Sequence, residues 1–190
     1  MRRRIDFKRY DKPVIESVGG GVITGDLMEA MCKTMELKEV IDYVKKKFTV
    51  FWVSNGNWSM HQLLMALLDI AGPAVVYIST YALSETPARY LVQLKEAGII
   101  TELYCVIDNR VDTRTAATLQ VIKAIAKQFS LIDTHAKVTV ITNDDWKITV
   151  IGSANYTENK RYEADVISCA DNAAELQLKW IKKALADGVK

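Results

Sequence analysis

The sequence predicts an α/β protein built on a mostly parallel, mixed β-sheet with helices on both faces. Two observations carry this. Short apolar runs rich in β-branched residues alternate along the chain with longer segments whose apolar residues recur at helical spacing. Strand–helix–strand order repeated in this way is the signature of parallel strands joined by crossover helices. The 190 residues suit a single domain, residues 1–190, with enough chain to bury a sizeable core.

Before the first clear strand, Thr24 to Lys47 reads as one long helix or two shorter ones, and Gly19-Gly20-Gly21 as a flexible connector after a short strand. Phe48 to Ser54 is an apolar, aromatic strand. Ser59-x-x-Gln62 forms a capping box, opening a helix with Met60, Leu63, Leu64, Leu67, Leu68 and Ala71 on one face. Gly72-Pro73 stops it. Ala74 to Thr80 is the next strand, and a helix runs from Pro87 to Gly98. A strand over Ile99 to Ile107 leads to a helix over Thr113 to Phe129, with Leu119, Ile122, Ile125 and Phe129 near one side.

Val138 to Ile141 and Ile148 to Ile151 form a hairpin of two apolar strands, turned by Asn143-Asp144-Asp145-Trp146. Ala164 to Cys169 is a last strand. Asp171 or Asn172 caps a C-terminal helix carrying Leu176, Leu178, Trp180, Ile181 and Ala184.

Composition narrows the function. A 49% hydrophobic, 25% charged chain is an ordinary globular composition, and a net charge of +2 gives no strong overall field. Charge is concentrated at the start, in Arg2, Arg3, Arg4, Lys8, Arg9 and Lys12, so residues 1–24 read as a basic N-terminal arm: a solvated tail, or one touching phosphate backbones. No apolar run follows these arginines to make a secretory signal, and no segment suits a membrane span. Cys32, Cys105 and Cys169 lack metal spacing and suit free thiols in a reducing, cytoplasmic setting.

The hairpin carries the chemistry. His135-Ala-Lys137 precedes its first strand and Gly152-Ser153-Ala154-Asn155 follows its second. Strand alternation would project His135 with Lys137, and Ser153 with Asn155. An imidazole, an ammonium, a hydroxyl and a carboxamide then converge beside an apolar sheet, a set of groups suited to phosphate.

The segment from His135 to Ile167 resembles the HxK…GSxN block of the phospholipase D superfamily, whose members act on phosphodiesters. Asn159-Lys160-Arg161-Tyr162-Glu163 fits the ending of that block in small single-motif, often nuclease-like members. The resemblance implies a phospholipase D-like fold and a metal-independent phosphodiesterase with no cofactor, most directly a nuclease on DNA or RNA. It implies that His135 attacks phosphorus to give a phosphohistidine, that Lys137, Ser153 and Asn155 hold the non-bridging oxygens, and that Glu163 fixes a histidine tautomer. Thr142 stands where the family's fuller motif has Asp, which keeps a second reading in view: a non-catalytic nucleic-acid- or phosphate-binding module.

The reaction needs two histidines, one attacking and one protonating the leaving oxygen. The only other one, His61, reads as a surface residue in the first turn of a helix. Single-motif members pair two copies about a two-fold axis, so the resemblance implies a homodimer with a composite site. Tyr156 and Tyr162 are candidates for that interface. Asp144 and Asp145 read as turn formers, not metal ligands. Trp52, Trp58 and Tyr81, at or after strand ends, suit core packing or base stacking.

Overall fold

The computed structural model describes residues 20–24, 27–31, 36–46, 48–111, 115–158 and 160–188. The arginines of the basic arm, Cys32 and Asn159 lie outside these residues. Among the described residues, nine strands form one sheet, β1 (Gly20–Thr24), β2 (Leu27–Met31), β3 (Thr49–Ser54), β4 (Ala74–Thr80), β5 (Ile100–Asp108), β6 (Gln128–Ile132), β7 (Val138–Thr142), β8 (Lys147–Gly152) and β9 (Glu163–Ser168). The helices are α1 (Leu37–Asp42), α2 (Met60–Ala71), α3 (Glu85–Glu96), α4 (Ala116–Ile125) and α5 (Asp171–Asp187).

The strand order is β2-β1-β3-β9-β8-β7-β4-β5-β6. Only β4 with β5 and β5 with β6 pair in parallel; every other neighbouring pair is antiparallel. The sheet is therefore mixed, not mostly parallel. Crossover helices α3 and α4 make the parallel part. The hairpin β7–β8, whose short turn can join only antiparallel neighbours, and strands β9 and β3 make the antiparallel part.

Four segments differ from expectation. Among the described residues, Thr24 to Lys47 holds the last residue of β1, the edge strand β2 and the short α1, where the sequence suggests helices. Gly20 and Gly21 lie within β1, Gly21 opposite Phe51, so pairing with β3 overrides their local freedom. The helix expected to reach Phe129 ends at Ile125, where Ala126 turns extended (φ −74°, ψ 133°). Gln128 to Ile132 then runs parallel to β5 as an edge strand. Phe129 continues the helical spacing by coincidence and reaches the core from a strand instead. Asp171 is the first residue of α5, and Ala170 holds the cap position.

The hairpin fits its turn chemistry. Asn143 Oδ1 accepts the N–H groups of Asp145 (3.0 Å) and Trp146 (2.8 Å), an Asx-type turn that fixes the register Val138 opposite Ile151. Alternation along β4 divides the core. Val76 and Ile78 join the main cluster with α2, α3 and α4, while Tyr77 joins a second cluster with Ala174, Ile181 and Leu185 of α5. Cys105 and Cys169 are buried free thiols, pushed up to about 12 and about 11 by desolvation.

Candidate active site

The motif residues cluster where β7, β8 and β9 present the ends nearest His135. His135 and Lys137 lie in the extended segment just before β7, not on the strand itself. They still project together: Lys137 Nζ is 3.1 Å from His135 Nδ1 and donates to the His135 carbonyl at 2.7 Å. Tyr81, just past β4, closes the group. Its ring lies 4.6 Å from the imidazole and 5.3 Å from the Lys137 ammonium. His135 is exposed. Partial burial lowers the pKa of Lys137, while Glu163 and Asp108 favour its charged form.

What holds the His135 segment was not legible in the motif. Asp108, fully buried at the end of β5, receives Arg110 through both carboxylate oxygens (2.6 and 2.9 Å) and accepts the N–H of Thr134 at 3.0 Å. The Arg110 guanidinium, with those backbone donors, holds the carboxyl at about 2. Arg110 also lies 4.8 Å over the Tyr81 ring and bonds Asp133. One buried acid thus ties the β5 end, the residues before His135 and the Tyr81 platform together.

Ser153 and Asn155 do not project together as strand alternation would have them. Ser153 turns towards β9, where Oγ donates to Glu163 and accepts the Ala164 N–H (3.0 Å). Asn155 turns towards β4: Oδ1 accepts from Ala82 N–H (3.1 Å) and Thr80 Oγ1 (3.3 Å). With its oxygen so engaged, the amide offers its Nδ2 donors to an anion. The loop is spread between two strands by its own side chains. Glu163 contacts Ser153 and lies near enough to Lys137 to favour its charge; in this single chain it makes no hydrogen bond to His135.

A further residue, Asp165, escaped the sequence reading. It is buried on β9, and Oδ1 accepts the Ala154 N–H at 3.2 Å. Its only signal in the sequence was the spacing of two from Glu163, which places both on one face of a strand. Burial first, then Glu163, pushes the Asp165 carboxyl up to about 6.

Two expectations are corrected, for His61 and for Tyr156. His61 is not a surface residue. It is 5% exposed, its Nδ1 lies 2.8 Å from Ser59 Oγ, and its ring stacks on Tyr90 at 4.9 Å. The first turn of α2 faces α3, so helix position alone misjudged its exposure. It lines a separate open cavity of about 420 Å³ with Trp58, Tyr90, Glu158 and Lys160, and desolvation lowers its pKa. Tyr156 is 2% exposed with its hydroxyl 2.8 Å from Thr139 Oγ1, so it is a core residue and no part of an interface; Tyr162 is 67% exposed. Trp52 and Trp58 are buried against each other, ring centroids 4.3 Å apart, which leaves Tyr81 as the aromatic beside the histidine. Thr142 sits at the far end of β7 opposite Val75 and Lys147. Among the described residues no group of three or more His, Cys, Asp or Glu could hold a metal ion, and no helix is long and apolar enough to cross a membrane.

No protein-family profile and no curated protein matches the sequence. Solved structures do match in fold. Nuc from Salmonella typhimurium, a phospholipase D family member, superposes with a TM-score of 0.57 at 21% identity, over 74% of this chain and 97% of that one. NucT from Helicobacter pylori gives 0.58 at 19% identity, over 74% and 97%. TrmBL2, an archaeal chromatin protein with a novel mode of DNA binding, gives 0.52 at 11% identity, over 74% and 53%. The mixed sheet and its helices are those of the phospholipase D-like fold, and this chain has that fold.

Proposed function

We propose that the protein is a metal-independent phosphodiesterase, with DNA or RNA as substrate, working through a phosphohistidine at a site completed by a second copy of the chain. The observation that carries this reading is the packing of His135, Lys137 and Tyr81 into one exposed cluster beside the Ser153–Asn155 turn. A nucleophile and a cation then stand together, with an oriented amide on the neighbouring turn, the groups that phosphoryl transfer calls for.

In the first step a ring nitrogen of His135 forms the N–P bond as the P–O bond to the leaving group breaks. The leaving oxygen takes a proton from the imidazolium of the second copy's His135. In the second step water attacks phosphorus, its proton passes to that same imidazole, and the N–P electrons return to His135. Lys137 swings from the imidazole edge to the equatorial oxygens, joined by the Asn155 amide. Glu163 of each copy orients a histidine near the two-fold axis. Among the side chains described, no second histidine enters this cluster, which is why a second copy is needed: His61 belongs to another cavity.

The fold likeness to a DNA-binding chromatin protein favours one alternative, a nucleic-acid-binding module without turnover. Assays on single- and double-stranded DNA and on RNA, in excess EDTA, separate the two. Cleavage supports the phosphodiesterase; binding with no product from any of the three supports the module.

A further inference from the structure

Asp165 stands in a row that crosses three strands. Trp52 on β3 is its Cα partner on one side and Gly152 on β8 its partner on the other. Gly152 N–H bonds the Lys137 carbonyl at 3.2 Å, which carries the row to the residue beside His135. The row is built around the acid. A Cβ at Gly152 would lie 1.6 Å from Asp165 Oδ1, so glycine is required there by the carboxylate and not by backbone conformation. Asp165 thus fills the floor under the Gly152–Asn155 turn, and Oδ1 holds that turn through the Ala154 N–H. Oδ2 is buried without a hydrogen bond among the described residues, and so is Trp52 Nε1 on the residue opposite.

A buried carboxylate oxygen with no donor is costly as an anion and far less so as an acid. Of the groups around it, Glu163 on β9 adds repulsion and Lys137, before β7, lines the same tight space. Tyr156 there stays a neutral phenol bonded to Thr139, and α2, β4 and β3 bring Met60, Ser79 and Trp52 to it. We propose that Asp165 is a positioning acid of the phosphate site: neutral, it carries the Gly152–Asn155 turn beneath the bound anion, and oxyanion binding is coupled to uptake of a solvent proton on Asp165. The inference rests on the phosphodiester reading above.

The test uses the full chain with ¹³C-labelled Asp carboxyls and sulfate as the probe, because sulfate keeps its charge throughout the pH range used. The Asp165 resonance, assigned by its loss in Asp165→Asn, is titrated with and without sulfate. The expected midpoint is near 6 without sulfate and higher with it. Asp165→Asn keeps an oxygen for Ala154 and carries no charge. It should bind sulfate about tenfold more tightly than wild type at pH ~7.5, and equally at pH ~5. Sulfate that shifts His135 and Lys137 but leaves the Asp165 midpoint unchanged would overturn the proposal while sparing the reading of the site. Sulfate that perturbs neither His135 nor Lys137 would sink both. If Asp165→Asn does not fold, assignment from sequential backbone resonances lets the wild-type titration decide alone.

Discussion

Asp108 and Thr134, twenty-six positions apart in sequence, are joined by a 3.0 Å hydrogen bond from the Thr134 N–H to a fully buried carboxylate. That bond sets the backbone one residue before His135, so the placement of the histidine depends on an acid outside the motif. Replacing Asp108 with Ala should lower kcat by about 10- to 100-fold and stability by about 2 kcal/mol, a figure held down because Arg110 is half-exposed. The Asp108 carboxyl lies at about 2 against an ordinary 3.8. Its stabilisation is therefore full above the ordinary value and is lost as pH falls through about 2. Acid unfolding of Asp108→Asn should lack that component, which denaturation curves between pH ~2 and ~5 will measure.

Gly152 and Asp165 compete for the same space, and this predicts a reciprocal pair of variants. Gly152→Ala should destabilise the protein by roughly 3 kcal/mol and cut activity, because the Asp165 carboxyl must move. Adding Asp165→Ala makes room for the new methyl group. The double variant should be more stable than Gly152→Ala alone, with a coupling of at least about 1 kcal/mol by denaturant titration. Additive losses would show that the two side chains do not meet.

His61 is buried and stacked, and His61→Ala should therefore cost about 2 kcal/mol of stability while leaving kcat within about twofold. Burial lowers its pKa from 6.5, so the folded state prefers the neutral ring. Its contribution is whole above 6.5 and declines as pH falls towards the lower folded value. The melting temperature of wild type, but not of His61→Phe, should show this dependence. A loss of kcat comparable to that of His135→Ala would instead bring His61 into the reaction.

The hairpin and its turn were legible because every signal there is local: β-branched alternation, an Asn-Asp-Asp turn, and motif residues next to the strands. The same holds for α2 and for β4, whose bounds match the sequence reading. What failed depended on partners distant in sequence. β1 and the edge strand β6 are made by pairing with β3 and β5, and Phe129 kept helical spacing while lying in a strand. The site divides in the same way. His135 and Lys137 could be read from their spacing. Asp108, Arg110, Tyr81 and Asp165 come together only through the sheet, and Ser153 and Asn155 turn apart because each meets a different neighbouring strand.

A composite site makes activity depend on assembly. Light scattering should give about twice the 21.4 kDa chain mass. Dilution below the dissociation constant should lower activity per chain. Tyr162, 67% exposed beside Glu163, is a candidate contact, so Tyr162→Glu should weaken the dimer and activity together. A fully active monomer would contradict the two-copy mechanism.

Attack of His135 on phosphorus is tested by turnover of His135→Ala beside wild type on a small single-phosphate diester in excess EDTA. His135 is exposed and holds no core contact, so the variant should keep the wild-type circular dichroism and melting temperature. Wild type should stay active despite the chelator, and kcat should fall by at least about 10⁴-fold in the variant. Equal turnover in the two proteins would contradict it.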